Sequence, residues 1–184
     1  EEIAAVAKKY RVIILSDEIY GELNFNGTHT SIARHYPEGT IISGGLSKWC
    51  GAGGWRLGTF TFPKSLAGLL NAMATVASET FTATSAPIQY AAVKAFRGGM
   101  EIERYLWNTR KILKALGNEI HSILSSAGVE CPVPEGAFYL FPNFKNYADK
   151  LKAKNIFTSL ELTTRLLEET GAALLPGSVF GRPV

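Results

Sequence analysis

The chain has 184 residues, of which 46% are hydrophobic and 19% are charged, a composition typical of a folded globular protein. The 19 basic and 16 acidic residues give a formal net charge of +3, and the basic residues form no cluster, so we expect no nucleic-acid partner and no membrane surface. Cys50 and Cys131 are far apart and show no metal-ligand spacing. We therefore predict no metal site, no disulfide framework and a reducing, cytoplasmic location.

The N-terminal part of the chain shows the pattern of a parallel α/β sheet. Apolar residues at helical spacing predict a helix over residues 1–9, and "VIIL" at 12–15 predicts a short strand buried on both faces. "TIIS" at 40–43 and "LGTFTF" at 57–62 predict two further strands. A helix that leads into a buried strand is half of a parallel-sheet unit, so the predicted fold class is α/β.

Helices dominate the middle of the chain. Apolar periodicity and end signals predict helices over about 64–77, 86–97 and 101–126. The long helix is the predicted bridge between a parallel-sheet α/β domain and a smaller α+β domain. We place the first domain at residues 1–112 and the second at residues 113–184.

The pattern changes after Gly128. "GVECPVPEGAFYLFPNF" alternates short strand-like pieces with proline and glycine breaks. "TSLELTTRLLEETG" predicts a helix with a capping box formed by Thr158 and Glu161 and a terminal Gly171. "AALL" at 172–175 predicts a further strand.

The glycine-rich stretch "GGLSKWCGAGGWRLG" contains Lys48 and Arg56. It fits neither a dinucleotide fingerprint, because Arg56 stands at the third glycine position, nor a phosphate loop, because the lysine precedes the glycines. A loop with little side-chain bulk lets a planar group approach the backbone, and a desolvated lysine amine there is a nucleophile toward an aldehyde. The guanidinium of arginine is a planar charged fork suited to a phosphate. A lysine for an aldehyde and an arginine for a phosphate together point to pyridoxal 5'-phosphate.

The stretch "VIILSDEIY" supplies two more groups that this cofactor needs. Asp17 stands at the carboxyl end of a predicted strand, where α/β sheets place functional groups, and a buried carboxylate there keeps the pyridine nitrogen protonated. Tyr20 is placed three residues later to donate a hydrogen bond to the phenolic oxygen of the ring.

"SDEIYGEL" followed by "GGLSKWCGAGGWRLG" resembles the class I/II aminotransferases of the fold type I pyridoxal-phosphate enzymes, and the wording is closest to the tyrosine and aspartate aminotransferase branch. "TSAPIQYAAVKAF", "PEGAFYLFP" and "LLPGSVFG" resemble further family segments in the expected order. The resemblance implies that residues 1–112 are the C-terminal part of the large cofactor-binding domain, a mostly parallel sheet with helices on both faces. It implies that residues 113–184 are part of the small α+β domain.

The same resemblance implies a role for each candidate site residue. Lys48 is the expected catalytic residue, which forms a Schiff base with pyridoxal 5'-phosphate. Asp17 would pair with the pyridine nitrogen, Tyr20 with the phenolic oxygen, and Arg56 and Ser47 with the phosphate. The implied function is the transfer of an amino group between an amino acid and a 2-oxo acid by a cytoplasmic homodimer.

Several cofactor-binding and substrate-binding residues of the family have no counterpart in this sequence, so we expect a fragment of a longer protein. Arg182 follows the "PGSVFG" loop too soon to be the arginine that binds the substrate carboxylate. Three alternatives stay open: a carbon–sulfur lyase on the same fold, a pyridoxal-phosphate-binding sensor domain of a transcription regulator, and an inactive fragment. Products from cysteine conjugates would distinguish the lyase, and a winged-helix sequence upstream would indicate the regulator.

Overall fold

The computed structural model describes residues 1–27 and 29–181. The regular elements of this part of the chain follow in sequence order. They are α1 (Glu2–Lys9), β1 (Ile14–Asp17), β2 (Thr40–Gly45), β3 (Gly58–Thr61), α2 (Ala67–Thr80), α3 (Ala86–Arg97), α4 (Met100–Ser126), α5 (Ala148–Ala153) and α6 (Ser159–Thr170). No helix among them combines the length and the apolarity needed to cross a membrane.

The three strands form one sheet in the order β1, β2, β3. Strands β1 and β2 are parallel, and their register pairs Ile14 with Thr40 and Asp17 with Ser43. Strand β3 runs antiparallel to β2. Because β1 and β2 run in the same direction, their carboxyl ends lie at the same edge of the sheet, and the loops that leave this edge start close together.

Strand β1 is less buried than its sequence predicts. It begins at Ile14 rather than at residue 12, and its side chains alternate between half-buried and exposed. Ile14 packs on the cluster that α1 forms through Ala4 and Ala7, whereas Leu15 points to the other face and is 62% exposed. The prediction of burial on both faces is therefore wrong for this strand, since α1 covers only one of its two faces in the described chain.

The chain divides into two compact units. The first contains residues 1–116 and, from much later in the sequence, residues 134–139. The second contains residues 117–133 and 140–184. The buried side chains of the first unit gather around the loop after β2, and this cluster consists of Leu23, Leu46, Trp49, Ala52, Leu57, Ala92 and Leu106. The glycine-rich loop is therefore part of the core of this unit, to which it contributes Leu46, Trp49, Ala52 and Leu57.

In the second unit, the capping box and the C-terminal glycine of α6 are confirmed. The Thr158 hydroxyl accepts a hydrogen bond from the Glu161 amide at 3.1 Å, and Gly171 adopts the left-handed conformation. The strand predicted at 172–175 is wrong, because none of the described residues pairs with this segment. Helix α5 was not predicted, and its six residues are too few to show a clear helical period.

Candidate active site

Lys48 and Asp17 both lie at the carboxyl edge of the parallel strands. Asp17 is the last residue of β1, and the next amide, that of Glu18, donates a hydrogen bond of 2.9 Å to the carbonyl of Ser43 in β2. Strand β2 ends at Gly45, and Lys48 follows it in the loop that leaves the sheet. The fold thus places both residues at the edge where open α/β sheets bind their ligands.

The glycine-rich loop is held tightly to the strand that follows it. A Cβ atom on Gly45, whose φ is +153°, would lie 2.5 Å from the carbonyl oxygen of Leu57 and 3.0 Å from the Cα atom of Gly58. The indole nitrogen of Trp49 donates a buried hydrogen bond of 2.7 Å back to the Gly45 carbonyl. Gly45 is therefore needed for close contact between backbones, and Trp49 fixes the loop on both sides of Lys48.

The amine of Lys48 faces aromatic rings. Its Nζ atom lies 5.5 Å from the ring centroid of Tyr20 and 5.8 Å from that of Phe138. These distances are within the range of cation–π attraction. The partners of the Lys48 amine named here are therefore aromatic rings and not a carboxylate. We call Tyr20, Phe138 and Tyr139 the aromatic wall.

Tyr20 is the centre of the aromatic wall. Its ring centroid lies 5.7 Å from that of Phe138 and 5.6 Å from that of Tyr139, both edge-on, and its hydroxyl lies 2.7 Å from the Tyr139 hydroxyl. Burial raises the pKa of Tyr20, and the hydrogen bond with Tyr139 raises it further, while the ammonium of Lys48 lowers it. The net shift of the pKa is upward, so the Tyr20 phenol keeps its proton at neutral pH.

Asp17 is exposed, in contrast to the buried carboxylate that the sequence predicts. Its Oδ1 atom accepts a hydrogen bond of 3.3 Å from the amide of Ile19. The reason for the exposure is that β1 is the edge strand of the described sheet, so its last side chain has a neighbouring strand on one side only. Asp17 lines a cleft of ≈ 350 Å³ together with Tyr20, Gly21, Leu23, Asn24, His29 and the segment from Glu135 to Ala137.

Glu18 also lines this cleft and is the centre of a small polar network. One carboxylate oxygen accepts hydrogen bonds from the hydroxyls of Ser16, at 3.0 Å, and Ser31, at 2.6 Å, and the other lies 2.9 Å from Nε2 of His29. Burial by itself raises the pKa of Glu18, but the hydrogen bonds from Ser31, His29 and Ser16 outweigh it, and the net shift is downward. An ionised Glu18 therefore ties the segment around Ser31 to the end of β1.

Arg56 and Ser47 are placed near Lys48 in sequence, but no hydrogen bond among the described residues joins their side chains to that of Lys48. Arg56 has a φ of +55°, which is uncommon for a residue with a side chain. Its exposed guanidinium donates a hydrogen bond of 2.8 Å to the carbonyl of Gly53. Ser47 is half-buried immediately before Lys48. Arg182 lies outside the described residues.

The structure thus brings Lys48 and Tyr20 into contact and places Asp17 along the same cleft as Tyr20. Sequence reasoning gave no site role to Phe138, Tyr139 or Glu18. The "PEGAFYLFP" stretch was informative only as a family segment, because nothing local in it indicates which part of the chain it packs against. For Glu18, the signal available was the neighbouring Asp17 and Tyr20.

Comparison with known proteins identifies the family of the chain. The sequence profile described as aminotransferase class I and II matches residues 1–183. The chain belongs to that family. The motif resemblance of the sequence analysis is therefore confirmed.

Two relatives show how much of a family member the chain covers. Asparagine–oxo-acid transaminase from Streptococcus mutans is 35% identical over 188 residues, an alignment that includes 100% of this chain and 46% of the relative. Aspartate aminotransferase from Geobacillus stearothermophilus is 36% identical over 191 residues, with 100% of this chain and 46% of the relative covered. The chain thus spans less than half the length of the curated aminotransferases that it matches.

Solved structures give the same fold. A double mutant of Thermus thermophilus aspartate aminotransferase superposes with a TM-score of 0.86 at 27% identity, covering 97% of this chain and 44% of that one. An aromatic aminotransferase from Pyrococcus horikoshii gives a TM-score of 0.86 at 29% identity, covering 98% and 46%. The predicted fold class, part of a fold type I domain followed by part of a smaller α+β domain, is confirmed by these neighbours.

Proposed function

We propose that the full-length protein is a pyridoxal-phosphate-dependent aminotransferase that moves an amino group between an amino acid and a 2-oxo acid, with Lys48 as its catalytic residue. The observation that carries this proposal is the position of the Lys48 amine, at the carboxyl edge of parallel strands and facing Tyr20, in a chain of the aminotransferase class I and II family. The proposed domain assignment is a large cofactor-binding domain over residues 1–112 and a small domain over residues 113–184.

The side chains present fit the cofactor chemically. An amine, a phenol, a carboxylate and a guanidinium stand at or beside one sheet edge, supplied by Lys48, Tyr20, Asp17 and Arg56. Neither Asp17 nor Arg56 forms a salt bridge with another described residue. Their charges are therefore available for the pyridinium and the phosphate of a ligand, whereas a purely structural pair would already neutralise them.

Each residue has a defined task in the proposed mechanism. When bound, pyridoxal phosphate supplies an electron sink that stabilises negative charge at the substrate Cα. With the cofactor bound, Lys48 would hold its aldehyde through Nζ and, as a free amine, would accept the proton of the substrate Cα and later give that same proton up, so that the amine is restored. Asp17 would keep the proton on the pyridine nitrogen, Tyr20 would donate a hydrogen bond to the phenolic oxygen, and Arg56 and Ser47 would hold the phosphate.

The names of the relatives decide the first substrates to test. Several are aspartate aminotransferases, and one is an asparagine–oxo-acid transaminase. We therefore propose aspartate or asparagine as the first donors to test and a 2-oxo acid as the acceptor.

We also propose a cytoplasmic homodimer. Exposed apolar residues on α3 and at the start of α4, such as Tyr90 and Met100, support a subunit interface, and light scattering of the full-length protein tests it.

The test of the function is covalent trapping on the full-length protein. We expect borohydride reduction in the presence of pyridoxal phosphate to place the pyridoxyl label on Lys48, as read by peptide mapping. The Lys48→Ala variant should lose the label, and its transamination rate should fall by about 10²- to 10⁴-fold or more. Lys94→Ala, at an exposed position of α3, is the matched control and should keep both.

A label that persists in the Lys48→Ala variant, or that spreads over surface lysines, would contradict the proposal. A label on Lys48 without amino transfer, together with pyruvate and thiol formation from cysteine conjugates, would instead show a carbon–sulfur lyase. The two measurements thus separate cofactor binding from the type of reaction.

A further inference from the structure

A short segment from late in the sequence, residues 134–139, packs against the earlier part of the first unit; we call it the docked segment. The Phe25 amide donates a hydrogen bond of 2.9 Å to the Glu135 carbonyl, and the Ala137 amide donates one of 2.8 Å to the Leu23 carbonyl. A Cβ atom on Gly136 would lie 2.9 Å from the Leu23 carbonyl oxygen, so the two backbones approach too closely for a side chain there. Two backbone hydrogen bonds and a glycine therefore fix the position of this segment.

The docked segment ends at the Lys48 site. Phe138 and Tyr139 follow Ala137 directly, and their rings lie against that of Tyr20. The two rings also contact each other, with centroids 4.8 Å apart. The segment thus supplies two of the three members of the aromatic wall, and Tyr139 is the member with a hydroxyl that reaches Tyr20.

The contact between Tyr20 and Tyr139 is specific. Two hydroxyl oxygens 2.7 Å apart are at the optimal distance for an O–H···O hydrogen bond. A phenol with one such partner cannot rotate its ring or its O–H bond freely, and so its orientation toward a third group is set in advance. Lys48 Nζ lies 5.5 Å from the centroid of the same Tyr20 ring.

We propose that Tyr139 is a positioning residue: its hydroxyl accepts a hydrogen bond from Tyr20 in the cofactor-free protein and donates one to the Tyr20 oxygen when Tyr20 donates to the cofactor, and in both cases it holds the Tyr20 phenol in the orientation in which that phenol acts beside Lys48. The role rests on the proposed function, since it concerns the phenol that serves the bound cofactor. Tyr139 does not itself need to touch the cofactor or the substrate. It acts through Tyr20, and its effect should vanish when the Tyr20 hydroxyl is absent.

Several titratable side chains lie around Tyr20. Lys48 faces its ring, and the cleft beside it is lined by Asp17, Glu18, His29 and Glu135. The Tyr139→Phe variant leaves all of these in place and keeps the aromatic ring that packs on Tyr20. It therefore removes only the hydroxyl, and the Tyr10→Phe variant, at an exposed position directly after α1, is a control with the same chemical change.

The first measurement uses the full-length protein without cofactor, labelled with carbon-13 at the tyrosine Cζ atoms for titration by nuclear magnetic resonance. Because the hydrogen bond with Tyr139 raises the pKa of Tyr20 in the cofactor-free protein, we expect that pKa to shift downward in Tyr139→Phe and to stay unchanged in Tyr10→Phe. The Tyr20→Phe variant assigns the signal. An unchanged pKa of Tyr20 in Tyr139→Phe would overturn the proposal.

The second measurement uses the protein loaded with pyridoxal phosphate. We expect the pH titration of the visible absorbance of the bound cofactor to shift in Tyr139→Phe, with kcat falling about fivefold, the effect of one hydrogen bond. The double variant with Tyr20→Phe should match Tyr20→Phe alone. Additive effects of the two substitutions would overturn the role through Tyr20. If the unsubstituted protein takes up no label on Lys48, the proposed function fails instead, and the cofactor-free titration still decides the hydroxyl contact.

Discussion

Gly45 shows at a single residue why the glycine-rich loop has its composition. The backbone of β3 approaches so closely that a Cβ atom would lie 2.5 Å from the Leu57 carbonyl oxygen. The nearest atoms all belong to the backbone of Leu57 and Gly58, so no flexible side chain can move aside to relieve this contact. Gly45 therefore allows β2 and β3 to pair closely, and this pairing holds the loop that carries Lys48.

We predict that Gly45→Ala lowers the free energy of unfolding by about 1–3 kcal/mol, because one strand must move away from the other. Urea denaturation of the full-length protein measures this change. Gly54→Ala is the matched control in the same loop: a Cβ atom there has no neighbour within 4 Å, and its effect should be near zero or slightly stabilising. Equal effects of the two substitutions would contradict the prediction.

Glu18 gives a second prediction at the residue scale, which concerns pH. Its pKa in the folded chain lies below the ordinary value of 4.5, so the ionised form stabilises the fold. This stabilisation is complete above the unfolded-state pKa and is lost as the pH falls through the folded-state pKa. We expect Glu18→Gln to lower the free energy of unfolding by about 1–3 kcal/mol at neutral pH, with the deficit shrinking on acidification below about pH 4.5.

Denaturation at a series of pH values checks the Glu18 prediction. Glu119→Gln is the control, because Glu119 is exposed and takes part in no salt bridge among the described residues. A deficit for Glu18→Gln that is the same at every pH would show that packing, and not charge, accounts for the effect.

At the scale of elements, α6 carries its own start signal. Thr158 accepts a hydrogen bond from the Glu161 amide, and the Glu161 carboxylate accepts hydrogen bonds from the amides of Phe157, at 2.7 Å, and Thr158, at 2.9 Å. These bonds satisfy backbone groups that a helix start otherwise leaves to water.

We predict that Thr158→Ala destabilises the first turn of α6 by about 1 kcal/mol. Amide hydrogen exchange of Glu161 and its neighbours should become faster, while the last turn of the helix changes little. Thr164→Ala makes the same chemical change on the exposed side of this helix and should leave exchange at Glu161 unaltered. Slower or unchanged exchange in Thr158→Ala would refute the role of the cap.

Elements with local signals could be predicted, and those that depend on distant partners could not. The capping box of α6 and the strand β2 were predicted because their residues contain the necessary groups. The segment 172–175 has a strand composition, but a strand also needs a neighbour to receive its hydrogen bonds. Likewise, Lys48 and Tyr20 were found from their motifs, whereas Tyr139 lies 119 residues from Tyr20 in sequence.

At the scale of the whole molecule, the first unit leaves many large apolar side chains exposed. Ile3 and Val6 on α1, Leu15 on β1, and Tyr90 and Val93 on α3 are all more than half exposed. Soluble monomers rarely display so many large apolar residues without a partner for them.

We therefore predict that a polypeptide of these 184 residues alone associates in a concentration-dependent way and binds a hydrophobic dye. Sedimentation velocity at several concentrations measures the association. Replacing Tyr90 and Val93 by serine should weaken it, whereas the conservative Val93→Ile substitution should not. A monodisperse monomer at every concentration would contradict the prediction.

The docked segment also sets an order of events during synthesis. The pairing of β1 with β2 and the glycine-rich loop involve residues that are close to one another in sequence and leave the ribosome before residues 134–139, but the hydrogen bond between Tyr20 and Tyr139 joins residues 119 positions apart. A contact between residues so far apart in sequence forms only after the intervening chain has been synthesised and the entropy cost of closing that loop has been offset. A nascent chain that ends before Gly136 thus presents Lys48 without two thirds of its aromatic wall. The Lys48 amine therefore acquires its final surroundings only after residues 134–139 have been translated.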